Sequence, residues 1–247
     1  MSGTPPHNPY APPADFGILP VPPVPPGASG GPQPWDVEEV IKAAWAAFKL
    51  QWVVLVLAVF LPGMLVSFPM GAPDVLSALK VVEAYSLEYL GVLGFCWLVA
   101  MVIGTFFHVG SLRIFLAAAR GRQAELGALF GGADRFFPLV GVILLQSLAI
   151  VTGLLLLIVP GIILALGFGL APYYCVDARM GPVQSLRASW DATNGQKGKI
   201  FVFFLACTVV LVAGYLACCV GAYPASAVTW VAFSIVYVRL SGRIAPA

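Results

Sequence analysis

The stretch Pro138–Asp177, PLVGVILLQSLAIVTGLLLLIVPGIILALGFGLAPYYCVD, carries no charged side chain before its last residue and is broken midway by Pro160-Gly161. About 20 apolar residues, rising 1.5 Å each, cross the roughly 30 Å hydrocarbon core of a bilayer. The stretch therefore reads as two membrane-crossing helices, 138–158 and 161–176, joined by a tight turn, with the rest of the chain built around that hairpin.

Composition extends the reading outward. The chain is 60% hydrophobic and 10% charged, with a mean hydropathy of +0.93, far from soluble domains. Four further apolar runs, about 51–68, 89–109, 200–220 and 223–240, make six crossings. The fold class is all-α, a polytopic membrane bundle with short amphipathic interfacial helices. A net charge of +2 and no basic run with interleaved aromatics exclude nucleic acid as a partner. Membrane lipids are the expected partners, and nothing in the spacing specifies an oligomeric state.

Residues 1–34 hold twelve of the twenty-one prolines, no lysine or arginine, and one acid, Asp15. Such a segment buries too little apolar surface to fold alone, and reads as a disordered leader to the membrane domain at 35–247. Its Val21–Pro26 stretch contains overlapping PxxP frames, which suit either a spacer or a protein partner with an aromatic-lined groove. This polar leader replaces a signal peptide, so the first crossing is expected to act as its own membrane signal.

From Trp35 to Leu50 the period turns helical, with Val37, Val40, Ile41, Ala44, Trp45 and Phe48 on one face. Asp36 suits the N-cap with Glu39 three positions on, and Trp35 suits a staple onto Val40. Pro62-Gly63 is expected to kink or divide the first crossing. Residues 69–88 are expected to form the longest far-side loop, with a short helix from Asp74. Residues 110–137 read as short helical pieces around Gly121 and Gly131-Gly132, and 182–193 as an amphipathic helix whose face is Val183, Leu186 and Trp190. An interfacial helix followed by a hairpin recurs three times, a candidate threefold repeat.

Orientation follows from charge. With both termini cytoplasmic, twelve of the thirteen basic residues lie on that side and only Lys80 lies outside. Localisation is thus expected at a bacterial inner membrane. Two small-residue stripes, Gly161/Ala165/Gly169 and Ala213/Ala217/Gly221, predict that the fourth and fifth crossings pack together.

Chemistry is sparse. No crossing carries a central acid or base, the residues that transporters and intramembrane enzymes keep at depth. His108 has only His7 as a histidine companion, and the five cysteines lack CxxC spacing, so no metal, cofactor or catalytic set is assigned. The one Gly-x-Ser-x-Gly match, at 27–31, lies in the leader without strand-turn-helix context. Gln146, Ser147 and Thr152, with Thr105, Thr208, Thr229 and Ser234, are explained by interhelical hydrogen bonds. The most distinctive polar region is the elbow after the fourth crossing: Pro172, Tyr173, Tyr174 and Asp177, followed by Trp190. It reads as a structural bend or a docking surface, with Asp177 capping the next turn or pairing with Arg179 or Arg187.

Pro160-Gly161-Ile162, Phe168, Ala171-Pro172-Tyr173-Tyr174, Val176-Asp177, Ser185-Leu186, Ser189-Trp190 and Gly195 together resemble a signature of uncharacterised bacterial six-helix membrane proteins. That group is similar to the membrane domain attached to some glycerophosphodiester phosphodiesterases. The resemblance covers roughly residues 120–205 and implies the six-helix fold; without a hydrolase domain it implies no phosphodiesterase activity. The expected function is a non-catalytic membrane scaffold or accessory protein, with a transporter or lipid-handling protein as the alternative.

Overall fold

The computed structural model describes residues 33–81, 83, 86–217 and 221–242. The leader reading falls outside these except at its end, where the Gln33 N–H donates to the Arg239 carbonyl at 2.9 Å. Among the described residues eight α-helices run in order: α1 Val37–Ala78, α2 Leu87–Ala119, α3 Phe136–Leu156, α4 Ile158–Phe168, α5 Ala171–Asp177, α6 Pro182–Thr193, α7 Lys197–Leu216 and α8 Ala222–Ser241. Two 3₁₀ turns, Leu126–Phe130 and Gly132–Arg135, connect α2 to α3, and no strand occurs among the described residues. Among the described residues six segments are long and apolar enough to cross a membrane, α4 and α5 counting as one. The chain is an all-α polytopic membrane protein.

The first crossing departs from its sequence reading. The helix runs on through Pro62, Pro69 and Pro73 to Ala78, absorbing half of the expected loop, and its non-helical backbone lies at Gln51 (φ −131°, ψ 29°) instead. A proline frees the carbonyl four residues before it. At Pro62 that carbonyl belongs to Ala58, and the buried Ser111 hydroxyl of α2 donates to it at 2.9 Å. A neighbouring helix thus replaces the lost bond, as membrane helices need. At Gln51 the side-chain amide reaches the loop after α2: Nε2 donates to the Arg122 carbonyl at 3.0 Å and Oε1 accepts from the Ala124 N–H at 2.6 Å.

The N-terminus of α1 is also tied differently. Asp36 is the N-cap residue but makes no side-chain cap bond. Glu39 pairs with Arg239 of α8 at 2.9 and 3.0 Å. Trp35 is 2% exposed; its ring meets Phe203 of α7 edge-on at 5.9 Å, and its indole N–H donates to Gln196 at 2.8 Å. Lys199 donates to the Trp35 carbonyl. The two ends of the described chain are therefore gathered at one end of the bundle, hereafter the basic end.

The central hairpin turns at Leu157, a single extended residue (φ −164°, ψ 143°), three residues before the expected Pro160. Pro160 instead occupies the third position of α4, where no intrahelical N–H bond is due. Gly161 makes the close approach: a Cβ there would stand 2.5 Å from the Leu154 side chain and 2.7 Å from its backbone nitrogen. Helices α4 and α7 do pack on each other, as expected of the fourth and fifth crossings, but the two stripes do not face one another. Gly161 faces α3, and Gly169 meets the Phe204 ring of α7 at van der Waals distance. Ala165 is half-buried, while Ala213 and Ala217 are exposed. Gly221 packs on Gly214 in the α7–α8 turn, where a Cβ would lie 2.6 Å from the Gly214 carbonyl oxygen.

The hairpin is not the centre either. In α8, 61% of the apolar window is buried, against 11% to 17% in α1, α2, α3 and α7. Helices α1, α2 and α7 all pack on α8, whereas the hairpin's tip, Leu154 to Val159, is exposed. Helix α8 is also the least apolar of the six. A helix enclosed by protein tolerates Thr229, Ser234 and Tyr237, while lipid-facing helices are apolar on their outer faces. The leading elements of the three candidate units also differ: a kinked extension of α1, paired 3₁₀ turns, and a true helix, α6.

Candidate functional site

The elbow begins where α4 breaks at Gly169-Leu170. Pro172 cannot donate, and its ring would clash with the Phe168 carbonyl if the helix ran on. The break releases the Gly167 carbonyl and the Leu170 N–H, and α6 takes up both. The Ser189 hydroxyl donates to the Gly167 carbonyl at 2.7 Å and accepts from the Leu170 N–H at 3.2 Å. Ser185, Ser189 and Thr193 are fully buried, so the face that α6 turns to the bundle is a Ser/Ser/Thr stripe at four-residue spacing. The sequence reading named Val183, Leu186 and Trp190 instead. Val183 is exposed, while Leu186 and Trp190 flank the stripe. Trp190 covers Gly167, where a Cβ would stand 2.4 Å from the indole, and carries the Lys197 ammonium 3.3 Å from its ring centroid. As expected, α6 starts with Pro182 and ends before Asn194 and a left-handed Gly195 (φ 78°).

Beyond the break, α5 points Tyr173, Tyr174 and Asp177 into the bundle. Asp177 pairs with Arg120, the residue that ends α2, rather than with Arg179 or Arg187. Two parallel N–H···O bonds of 2.7 Å join them, and both side chains are nearly enclosed, at 6% and 5% exposure. Tyr237 of α8 donates to the same carboxylate at 2.8 Å. Its ring stacks on Tyr173 at 5.5 Å and meets Tyr174 edge-on at 4.9 Å. Tyr173 and Tyr174 are 1% and 6% exposed, so these elbow residues form a latch between α2, α5 and α8, and the surface of the elbow is made by others.

That surface is a cleft of about 320 Å³ lined by Arg113, Leu116, Ala117, Arg120, Arg122, Asp134, Val176, Asp177 and Arg179. Arg113 holds the second 3₁₀ turn through both Asp134 oxygens at 2.7 Å and through the Gly131 carbonyl at 2.6 Å. Gln51 fixes the backbone on which Arg122 sits. Arg135 donates to the Arg179 carbonyl at 3.2 Å. The cleft thus brings together arginines from α2, the loop after it, and the α5–α6 link. The sequence named them only as charges on one side, because the Asp177–Arg120 pairing spans 57 positions.

A second, smaller cleft of about 120 Å³ lies within the crossings, lined by Pro62, Gly104, His108, Ser111, Trp230 and four apolar neighbours. His108 packs against Trp230 at 5.5 Å. The other polar residues do not converge on it. Thr208, Thr229 and Ser234 bond carbonyls of their own helices, and Ser147 and Thr152 lie on exposed faces. Cys96, Cys175 and Cys207 are buried free thiols, and among the described residues no group of three His, Cys, Asp or Glu could hold a metal.

No family model matches the chain, and no solved structure matches it significantly. An uncharacterized protein of Mycobacterium bovis is 28% identical over 150 residues, and one of Mycobacterium tuberculosis is 27% identical over the same length. Each match covers 61% of this chain and 45% of the relative, so the chain spans less than half the length of these relatives. A UPF0259 membrane protein of Sodalis glossinidius is 35% identical over 92 residues, 36% of this chain and 37% of its own. The comparisons and the six apolar helices together describe an integral membrane protein similar, over part of its length, to a UPF0259 membrane protein.

Proposed function

We propose that this protein is a non-catalytic scaffold or accessory protein of a bacterial inner membrane, with both ends cytoplasmic, whose basic end engages lipids and protein partners. The observation that carries the reading is the organisation of that end. Arg120–Asp177, Arg113–Asp134 and Arg239–Glu39 tie helices and turns together, while the arginine-lined cleft remains open beside them. Charges placed to fix a surface suit binding. The motif from Pro160 to Gly195 fits a membrane module like the one attached to some glycerophosphodiester phosphodiesterases. A transporter is less well supported, because the cleft at His108, about 120 Å³, is below the roughly 300–1,000 Å³ of ligand sites.

The test is affinity capture from bacterial membranes, comparing the full chain with one lacking residues 1–32. Insertion and thermal stability should match, while some captured proteins disappear with the leader. Identical protein sets from both would refute the leader's part in the function. A reporter after Ala247 should be reached only from the cytoplasm.

A further inference from the structure

We propose that the arginine cleft between α2 and the α5–α6 link is a binding site for an anionic phospholipid headgroup carrying two negative charges. The inference deepens, and rests on, the reading of the basic end as a lipid-contacting surface. Four guanidinium groups, of Arg113, Arg120, Arg122 and Arg179, line the cleft against two carboxylates, Asp134 and Asp177. Both carboxylates are committed: Asp177 to Arg120 and Tyr237, Asp134 to Arg113. The guanidinium groups of Arg122 and Arg179 are exposed and have no hydrogen bond or ion pair among the described residues. The cleft therefore carries two surplus positive charges above a rigid, neutralised floor.

Its position selects a lipid over a soluble anion. Phe130 and Phe137, beside the Gly132–Arg135 turn that supplies Asp134, are 67% and 80% exposed. They sit where the third crossing begins, the end of a membrane span and so the level of the bilayer interface. At that depth a phosphate enters from the headgroup layer with its acyl chains along the apolar outer surface of α3. Basic pockets at the ends of membrane helices bind multiply charged headgroups in this way. Forked guanidinium groups suit phosphate, donating to two of its oxygens at once. The volume of about 320 Å³ accommodates a headgroup.

The experiment titrates the full chain in detergent micelles with cardiolipin, which has two phosphodiesters, phosphatidylglycerol, which has one, and zwitterionic phosphatidylcholine. Retained lipid is read by native mass spectrometry. Each arginine near an anionic headgroup is worth about fivefold in affinity and the pair about thirtyfold, so cardiolipin should exceed phosphatidylcholine by about thirtyfold. R122Q/R179Q should abolish that preference, R122K/R179K should keep most of it, and R187Q, an exposed arginine of α6 outside the cleft, should keep all of it. Glycerol phosphate at millimolar concentration should not displace the lipid. Unchanged cardiolipin retention in R122Q/R179Q, equal retention of all three lipids, or displacement by glycerol phosphate would each overturn the proposal. Should R122Q/R179Q fail to fold, the single glutamine variants and the lysine variant give the same comparison. Absence of any lipid preference in the native chain, with protein capture by the leader as proposed, would defeat this inference and leave the scaffold reading intact.

Discussion

Replacing Asp177 by Asn keeps the shape of the side chain and removes its charge, which isolates what the latch contributes. In the native chain the Arg120 guanidinium has two 2.7 Å bonds to Asp177, and both side chains are nearly enclosed. Without the carboxylate, a buried cation loses its counter-charge, a change that costs about 3–5 kcal/mol. At about 2–4 °C per kcal/mol for a chain of this size, the unfolding midpoint of the detergent-solubilised protein should fall by about 6–20 °C. Tyr237→Phe removes one donor to the same carboxylate and should cost about 1.5–3 kcal/mol. Combining Arg120→Met with Asp177→Leu removes both charges, and should be more stable than either single change. Differential scanning fluorimetry of Asp177→Asn, Tyr237→Phe, the singles Arg120→Met and Asp177→Leu, and their double completes the comparison. An Asp177→Asn midpoint within about 2 °C of the native protein, or a double variant worse than both singles, would refute the latch as the element holding α2, α5 and α8.

Ser189→Ala should destabilise by about 1–3 kcal/mol, because the Gly167 carbonyl and the Leu170 N–H lose a shared partner inside the elbow; Ser189→Thr, which keeps the hydroxyl, is the control, and thermal melts read both. Gly110→Ala places a methyl 2.4 Å from the Leu129 Cα and 2.5 Å from its carbonyl oxygen, so the first 3₁₀ turn must move and about 1–3 kcal/mol should be lost; proteolysis after residue 120 should rise in step. Gly161→Ala should be destabilising and Gly169→Ala tolerated, since only the first meets backbone below 3 Å; equal melting points would show that α3 and α4 do not close as described. Gln51→Ala removes both bonds to the Arg122–Ala124 loop, and amide exchange in residues 122–125 should accelerate while the melting point falls by only about 1–3 °C.

The helical character of the chain and its six crossings were legible in the sequence, because length and apolarity are local properties. The ends of α6 were legible too, in Pro182 and Asn194-Gly195. The breaks were less so. Pro62-Gly63 carries every sequence mark of a kink, yet Ser111 on another helix supplies the missing donor, while Gln51, an ordinary helix former, leaves the helical region where its amide reaches a loop 71 positions away. Of the elbow residues, Asp177 and the tyrosines were picked out by type. Their burial and their partner Arg120 were not, because the partner lies on a different helix. The Ser185/Ser189/Thr193 stripe was visible as a spacing of four, but a polar stripe on an amphipathic helix reads by default as its wet face.

The sequence by itself determined that the chain enters a membrane, how many helices do so, and on which end the positive charge gathers. Each of these depends on the transfer of side chains between water and hydrocarbon. Only the tertiary structure decided which helix is enclosed, and it chose the least apolar one, α8, over the hairpin of Pro138–Asp177. Lipid and protein interior are both apolar, so hydropathy cannot rank helices by burial. What ranks them is close packing and shared hydrogen bonds: Tyr237 reaching Asp177, Ser111 reaching Ala58, Glu39 reaching Arg239. Those pairings join residues far apart along the chain, and only the folded chain brings them within bonding distance.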